Sequence, residues 1–199
     1  MSSSLQESKA SLIDAVVKLA RDRLPAAQAE EAAVFIREYF SQADSEDLAE
    51  RSIPDLYGAA LSHLGFARRF QSGAPKLRVY SPRLEEHGWE SSHTVIEIVN
   101  DDMPFLVDSI TMEVNRQGYT QHLVIHPLFK MLRDADGELR SVQAASAGGP
   151  FESLVHVEVD RQTDPVKLKA LGDGILAVLA DVRALADGVR HAREGVAAR

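Results

Sequence analysis

Hydrophobic residues in the N-terminal third of the chain recur at helical spacing. Leu5, Leu12, Ile13, Val16, Val17, Leu19 and Ala20 follow one another at three- and four-residue intervals, and Pro25 interrupts the pattern so that a second helix is predicted after it. That helix carries Ala29, Ala32, Ala33, Phe35, Ile36, Tyr39 and Phe40 on one broad face. In Asp44-Ser45-Glu46-Asp47, Ser45 is the expected cap of a short turn, and Ser52-Ile53-Pro54-Asp55 predicts another helix entrance with proline in the first turn. Leu56, Tyr57, Ala60, Leu61, Leu64 and Phe66 keep the helical period until Gln71-Ser72-Gly73-Ala74-Pro75 closes the segment.

Beyond Pro75 the period changes from 3.6 to 2, which places a boundary between a helical subdomain, 1–74, and an α+β domain, 75–188. Lys76-Leu77-Arg78-Val79-Tyr80 alternates as a half-buried strand, 85–92 is polar and turn-rich, and the β-branched run 93–99 reads as a largely buried strand. Asn100-Asp101-Asp102-Met103-Pro104 predicts a helix entrance, with Asx oxygens as caps and the buried stripe Leu106, Val107, Ile110 and Val114 behind it. Gly118 is the expected left-handed stop.

A long strand is predicted over 120–133, at an edge or bulged at Pro127; Asp134-Ala135-Asp136-Gly137 is the hairpin turn and 138–143 the antiparallel return. In 154–159, Val155, Val157 and Val159 share one face, with His156 and Glu158 on the other. Thr163-Asp164-Pro165 begins a long amphipathic helix through Leu168, Leu171, Ile175, Val178, Val182 and Leu185, expected to end near Gly188 and to leave 189–199 as a frayed, basic tail. Strand, helix, strand, hairpin partner, strand, helix is the order of a ferredoxin-like α+β sandwich with a mostly antiparallel sheet. The strand at Lys76 can supply the edge that a final C-terminal strand usually supplies.

Composition narrows the function. A chain of 199 residues, 45% hydrophobic, forms one large domain or two small ones without needing a disulfide or a metal to fold. No cysteine is present, which removes disulfides, Cys-ligated zinc, iron–sulfur clusters and thiol nucleophiles. The net charge of −8, with Lys and Arg dispersed, argues against a nucleic-acid partner. Neither a secretory leader nor an apolar run of about 20 residues is evident, so the expectation is a soluble, cytoplasmic protein without a membrane partner.

Three features invite a chemical reading. His122 and His126, with His156 on a neighbouring strand, suggest a metal site, but four residues along a strand span about 13 Å, too far for two imidazoles to share an ion. No metal is expected there. Asn100, Asp101 and Asp102 are a carboxylate pair for acid–base work, a cap, or one side of a ligand loop, 100–104, that meets the ammonium group of an amino acid while the helix N-terminus meets its carboxylate. Capping accounts for them most simply. Gly172-Asp173-Gly174 lies inside a helical stripe and is not a nucleotide fingerprint, and Trp89 is read as a packing anchor.

Several runs carry a resemblance. Asp47-Leu48-Ala49-Glu50-Arg51, Asp55-Leu56-Tyr57-Gly58-Ala59-Ala60, Leu84-Glu85-Glu86-His87-Gly88-Trp89 and Ile98-Val99-Asn100-Asp101-Asp102-Met103-Pro104-Phe105-Leu106-Val107-Asp108-Ser109 are similar to the amino-terminal region of the large bacterial NAD-specific glutamate dehydrogenases. Asn115-Arg116-Gln117-Gly118, His122-Leu123-Val124-Ile125-His126-Pro127 and Glu158-Val159-Asp160-Arg161-Gln162-Thr163-Asp164 extend it over about residues 30 to 185. The resemblance implies an ACT-like domain, a ligand-sensing or oligomerising module of ferredoxin-like topology. It also implies that the glutamate and NAD sites lie downstream, so no catalytic or NAD-binding residue is expected in this chain. The expected role is a noncatalytic regulatory or assembly region of an enzyme that deaminates L-glutamate oxidatively to 2-oxoglutarate. Its expected partners are the remaining domains of that enzyme, a second copy of itself, or an amino-acid effector. A stand-alone amino-acid sensor is the alternative, and an enzyme using the histidines with Asp101 or Asp102 is a third reading. Phe105 stands where many ACT domains have a glycine, and a final strand is not evident.

Overall fold

The computed structural model describes residues 2–197 apart from 145, 147 and 149. Four helices come first: α1 (Ser2–Arg23), α2 (Ala26–Tyr39), α3 (Ser45–Ala49) and α4 (Ile53–Ala67). They are followed by β1 (Lys76–Tyr80), the single turn α5 (Leu84–His87), β2 (Thr94–Asp101) and α6 (Leu106–Arg116). The strands β3 (Gln121–Ile125), β4 (Leu128–Arg133), β5 (Leu139–Ala144) and β6 (Glu152–Val159) lead into α7 (Pro165–Ala197).

Most of the local signals act as their chemistry requires. Ser52 Oγ accepts from the Asp55 N–H at 3.2 Å and Asp164 Oδ1 from the Val166 N–H at 2.8 Å, so both cap-and-proline entrances hold. Gly118 has φ +82° at the end of α6. At α3 the cap is Asp44, whose carboxylate accepts from the Glu46 N–H at 2.8 Å, and the expected Ser45 is the first helical residue instead. The last helix runs on past Gly188 to Ala197, because one glycine costs a helix only about 1 kcal/mol and no proline follows to stop it.

The six strands form one antiparallel sheet in the order β1, β2, β6, β4, β5, with β3 beside β4 along the same edge of β6. The predicted long strand is therefore bent: β3 pairs with β6, the chain turns at His126-Pro127, and β4 leaves β6 after Phe129 to pair with β5. Proline has no N–H for a ladder, so the break falls where the ladder can tolerate it. Strand β1 pairs with β2 through Lys76–Val99 to Tyr80–Val95 and occupies the edge that lacks a C-terminal strand. The fold is the expected α+β sandwich with an open, antiparallel, ferredoxin-like sheet.

Both faces of that sheet are covered. Helices α6 and α7 lie on one, where Ile96, Ile98, Val155, Val157 and Val159 meet Leu106, Ile110, Val114, Leu171, Ile175 and Leu179. Helices α1, α2 and α4 lie on the other, where Val99, Leu123, Ile125, Phe129 and Leu154 share a continuous core with Val16, Phe35, Ile36, Tyr39 and Leu64. Phe35 stacks on Phe129 with ring centroids 4.7 Å apart. Arg133 fastens the helical layer to the hairpin, donating to Ala67 O at 2.9 Å, Gly137 O at 3.0 Å and the Glu152 carboxylate at 2.6 Å. Ala67 O is the last carbonyl of α4, one of those a helix end leaves without an intrahelical partner.

Candidate functional site

The 100–104 segment is not the helix cap its sequence suggests. Asn100 and Asp101 are the last residues of β2, and α6 begins only at Leu106, behind Phe105 at φ +62° with no side-chain cap. The Asx side chains are engaged elsewhere. Arg183, from α7, donates to Asn100 Oδ1 at 2.5 Å and to Asp101 Oδ2 at 2.8 Å. Ser153 donates to Asp102 Oδ1 at 3.0 Å. Burial alone would raise the Asp101 carboxyl, but hydrogen bonds from Ser72, the Gly73 N–H and Arg183 outweigh it and hold the group below the usual range. Tertiary partners thus displaced local capping, because Arg183 arrives from a helix distant in sequence.

Residues 101–104 border an open cleft of about 740 Å³, closed on its other side by Arg183, Ala186 and Phe151. Asn100 is fully buried and reaches the cleft only through Arg183. The guanidinium brings one buried donor, Nε, that has no protein acceptor. The cleft combines the Arg183 cation, the exposed Asp102, and apolar surface from Met103, Pro104 and Phe151. Such a mixture suits a small zwitterion with an apolar part.

A second polar assembly lies under α4. Glu97 on β2 stands opposite His156 on β6, and both are fully buried together with His63 of α4. Tyr39 Oη lies 2.9 Å from His63 Nδ1, and His63 Nε2 lies 3.2 Å from Ile98 O. Since a backbone carbonyl only accepts, Nε2 carries the proton and Tyr39 donates to Nδ1. Burial, aided by the nearby His156, pushes the His63 pKa well below its ordinary value and keeps the ring neutral. The Glu97 carboxylate receives Arg78 Nε at 2.5 Å and Tyr80 Oη at 3.0 Å, and burial raises its pKa. Glu158 binds Arg51 at 2.8 Å and His93 at 3.1 Å; burial works to raise its pKa, but hydrogen bonds from His156 and Arg51 bring it down to about 2.

His156 and Glu158 were legible in sequence as the polar face of β6, a pattern that ordinarily means solvent. Their burial was not legible, since nothing local to 154–159 shows that α4 covers that face. His63 and Glu97 gave no signal beyond a histidine on a helix and a glutamate in an apolar strand. His122 and His126 do not converge with His156: His122 is exposed, pairs with Asp160 at 2.8 Å and stacks on His93 at 4.2 Å, while His126 is half-buried. Trp89 is the anchor expected of it, packed on Gly58, where a Cβ would collide with the indole, and on Ala59 and Val95. The Gly172-Asp173-Gly174 run serves packing as well: Gly172 lies against Leu77 and Val79, and Gly174 lets Glu113 of α6 and Gln117 just beyond it approach α7. The chain carries no NAD-binding motif.

An α+β sandwich whose β2-to-α6 loop borders a cleft beside the second sandwich helix is an ACT-like domain. The chain belongs to the family described as the glutamate dehydrogenase ACT1 domain, whose model matches residues 35–175. A NAD-specific glutamate dehydrogenase of Halomonas elongata is 38% identical over 181 residues, 89% of this chain and 11% of the relative. One from Pseudomonas aeruginosa is 39% identical over 153 residues, 75% of this chain and 9% of the relative. The chain thus spans about a tenth of the length of the curated relatives it matches. It is an ACT-like region of that family. Among the described residues, no helix is long and apolar enough to cross a membrane.

Proposed function

We propose that this domain is a regulatory and assembly module of an NAD-dependent glutamate dehydrogenase, acting in the cytoplasm in amino-acid metabolism. The enzyme's reaction, oxidative deamination of L-glutamate to 2-oxoglutarate with NAD, is assigned to parts of the family outside this region. The carrying observation is the family match over 35–175 together with two relatives for which this region is about a tenth of the protein. The test is an assay of the purified chain for glutamate-dependent NADH formation, expected to give none above background. Turnover that survives removal of contaminating enzymes overturns the reading.

The loop 100–104 is our candidate effector subsite. In this reading Asn100 and Asp101 hold Arg183 in place, the Arg183 guanidinium attracts a ligand carboxylate, Asp102 meets its ammonium group, and Met103 and Pro104 line the apolar part. The same cleft supports the alternative of a stand-alone amino-acid sensor. Calorimetric titration with a panel of amino acids tests the subsite: saturable heats that vanish in Arg183→Ala support it, and an absence of heat with every amino acid removes it. Exposed Leu132 on β4, beside Lys130, marks the 120–143 ribbon as the candidate contact for a second copy or for the remaining domains. Light scattering over a concentration series, repeated with Leu132→Lys, measures the first of these. We retain 1–74, 75–188 and 189–199 as the proposed division of the chain; because the helices and the sheet share a core, 75–188 expressed alone is expected to aggregate.

A further inference from the structure

Among the described residues, one group of three or more metal-ligating side chains converges: His63 from α4, Glu97 from β2 and His156 from β6, with one ligand atom of each within 4.8 Å of the others. All three are fully buried. Two observations distinguish this group from an ordinary buried polar network. Each histidine has its Nε2 against an oxygen, Ile98 O at 3.2 Å for His63 and Glu158 Oε1 at 3.4 Å for His156. A metal-ligating histidine characteristically donates its second ring N–H to a backbone carbonyl or a carboxylate, and both forms are present here. In addition, His156 Nδ1 is buried with no protein partner, although the core around it satisfies nearly every other polar atom.

We propose that His63, Glu97 and His156 form a closed site for a divalent transition-metal ion of the zinc class. Nδ1 of each histidine and one Glu97 oxygen are the ligands. Tyr39 Oη, now 2.9 Å from His63 Nδ1, is the neighbouring oxygen that the ion would displace or recruit as a fourth donor. Two imidazoles exclude the hard cations, calcium and magnesium, and the absence of cysteine leaves nitrogen and oxygen as the donor set, which zinc accepts. Glu97 is already steadied from outside by Arg78 Nε at 2.5 Å and Tyr80 Oη at 3.0 Å, the kind of support that ligating carboxylates have. Donors around tetrahedral zinc stand about 3.4 Å apart, so atoms up to 4.8 Å apart must draw in by as much as roughly 1.4 Å. The antiparallel register that sets Glu97 opposite His156 limits that movement to side-chain torsions. Because Glu97 and Glu158 are partly committed to Arg78 and Arg51, the site is weaker than a thiolate centre.

A site with no solvent-exposed ligand loads as the chain folds. The full 199-residue chain is therefore unfolded in guanidinium with EDTA and refolded without metal, with Zn²⁺, or with Co²⁺, and the protein-bound metal is measured after desalting. The expected result is about one ion per chain, a visible ligand-field band with Co²⁺, and at least a tenfold loss of bound metal in His156→Gln but not in His122→Gln. Should His156→Gln fail to fold, imidazole ¹⁵N spectra of the wild-type chain decide: Zn²⁺ must move the Nδ1 resonances of His63 and His156 alone among the histidines. Less than about a tenth of an ion per refolded chain overturns the proposal. So does a full equivalent that leaves those two resonances unmoved. Neither outcome bears on the family or on the proposed dehydrogenase role.

Discussion

The two faces of one sheet are built on different principles. Along β6, Val155, Val157 and Val159 point to α6 and α7 and join a mainly aliphatic cluster, whereas Leu154, His156 and Glu158 point to the N-terminal helices. Along β2, Ile96 and Ile98 repeat the first pattern and Glu97 the second. The aliphatic face is held by area: burying one such side chain contributes about 1.5–3 kcal/mol with little demand on direction. The polar face depends on completeness, because a buried charge is tolerated only while each partner is in place. Small damage is therefore expected to be graded on one face and abrupt on the other.

The largest effect should come from breaking the polar face. Glu97→Leu removes the buried carboxylate to which Arg78 Nε and Tyr80 Oη donate and leaves both only Ser62, and a loss of about 3–5 kcal/mol in guanidinium unfolding, measured with EDTA present, is the expected result. A loss below about 1 kcal/mol would show that the network tolerates gaps. Gly58→Ala, on the same side, forces Cβ into Trp89, and overpacking of about 1–3 kcal/mol should exceed what alanine gains for the helix. On the aliphatic face, Ile98→Val removes one methylene, and about 0.5–1.5 kcal/mol is expected in the same experiment.

At the entrance to α6, Phe105 holds φ +62° and is 71% exposed, so Phe105→Gly relieves backbone strain and uncovers no core. A gain of up to about 1 kcal/mol is expected, since glycine's freedom in the unfolded chain offsets part of the relief. If that variant also disperses an oligomer seen by light scattering, the exposed ring is part of the contact.

The smallest effect concerns the far end of β6, where the Thr120 N–H and His122 draw the Asp160 pKa down to about 2. An unfolded aspartate titrates near about 3.9, so the ionised form favours folding above that pH, and the advantage fades as pH falls toward 2. The difference in melting temperature between wild type and Asp160→Asn should therefore be present at pH 5 and shrink toward pH 2. A difference independent of pH would locate the effect in the neutral hydrogen bonds.

Much of this architecture was determined by the sequence alone. Hydrophobic period separates helices from strands, Ser52 and Asp164 before proline start helices because they satisfy orphan N–H groups, and Gly118 stops one because it tolerates a positive φ. These are contacts within a few residues, and local chemistry settles them. The runs that carry the family resemblance were legible for the same reason: they are contiguous.

Tertiary structure decided what becomes of polar residues that local chemistry leaves open. Asn100 and Asp101 have the composition of a cap but serve as acceptors for Arg183, more than eighty positions along the chain, because hydrogen bonds from a guanidinium are stronger than those from a neutral helix end, and α6 starts only at Leu106. His156 and Glu158 have the pattern of a wet strand face, yet they are dry because α4 covers them, and that covering depends on the whole helical layer finding the sheet. His63, Glu97 and His156 belong to three elements, each unremarkable alone. Their convergence is a property of strand register and helix docking, two long-range geometries that spacing along the chain does not encode.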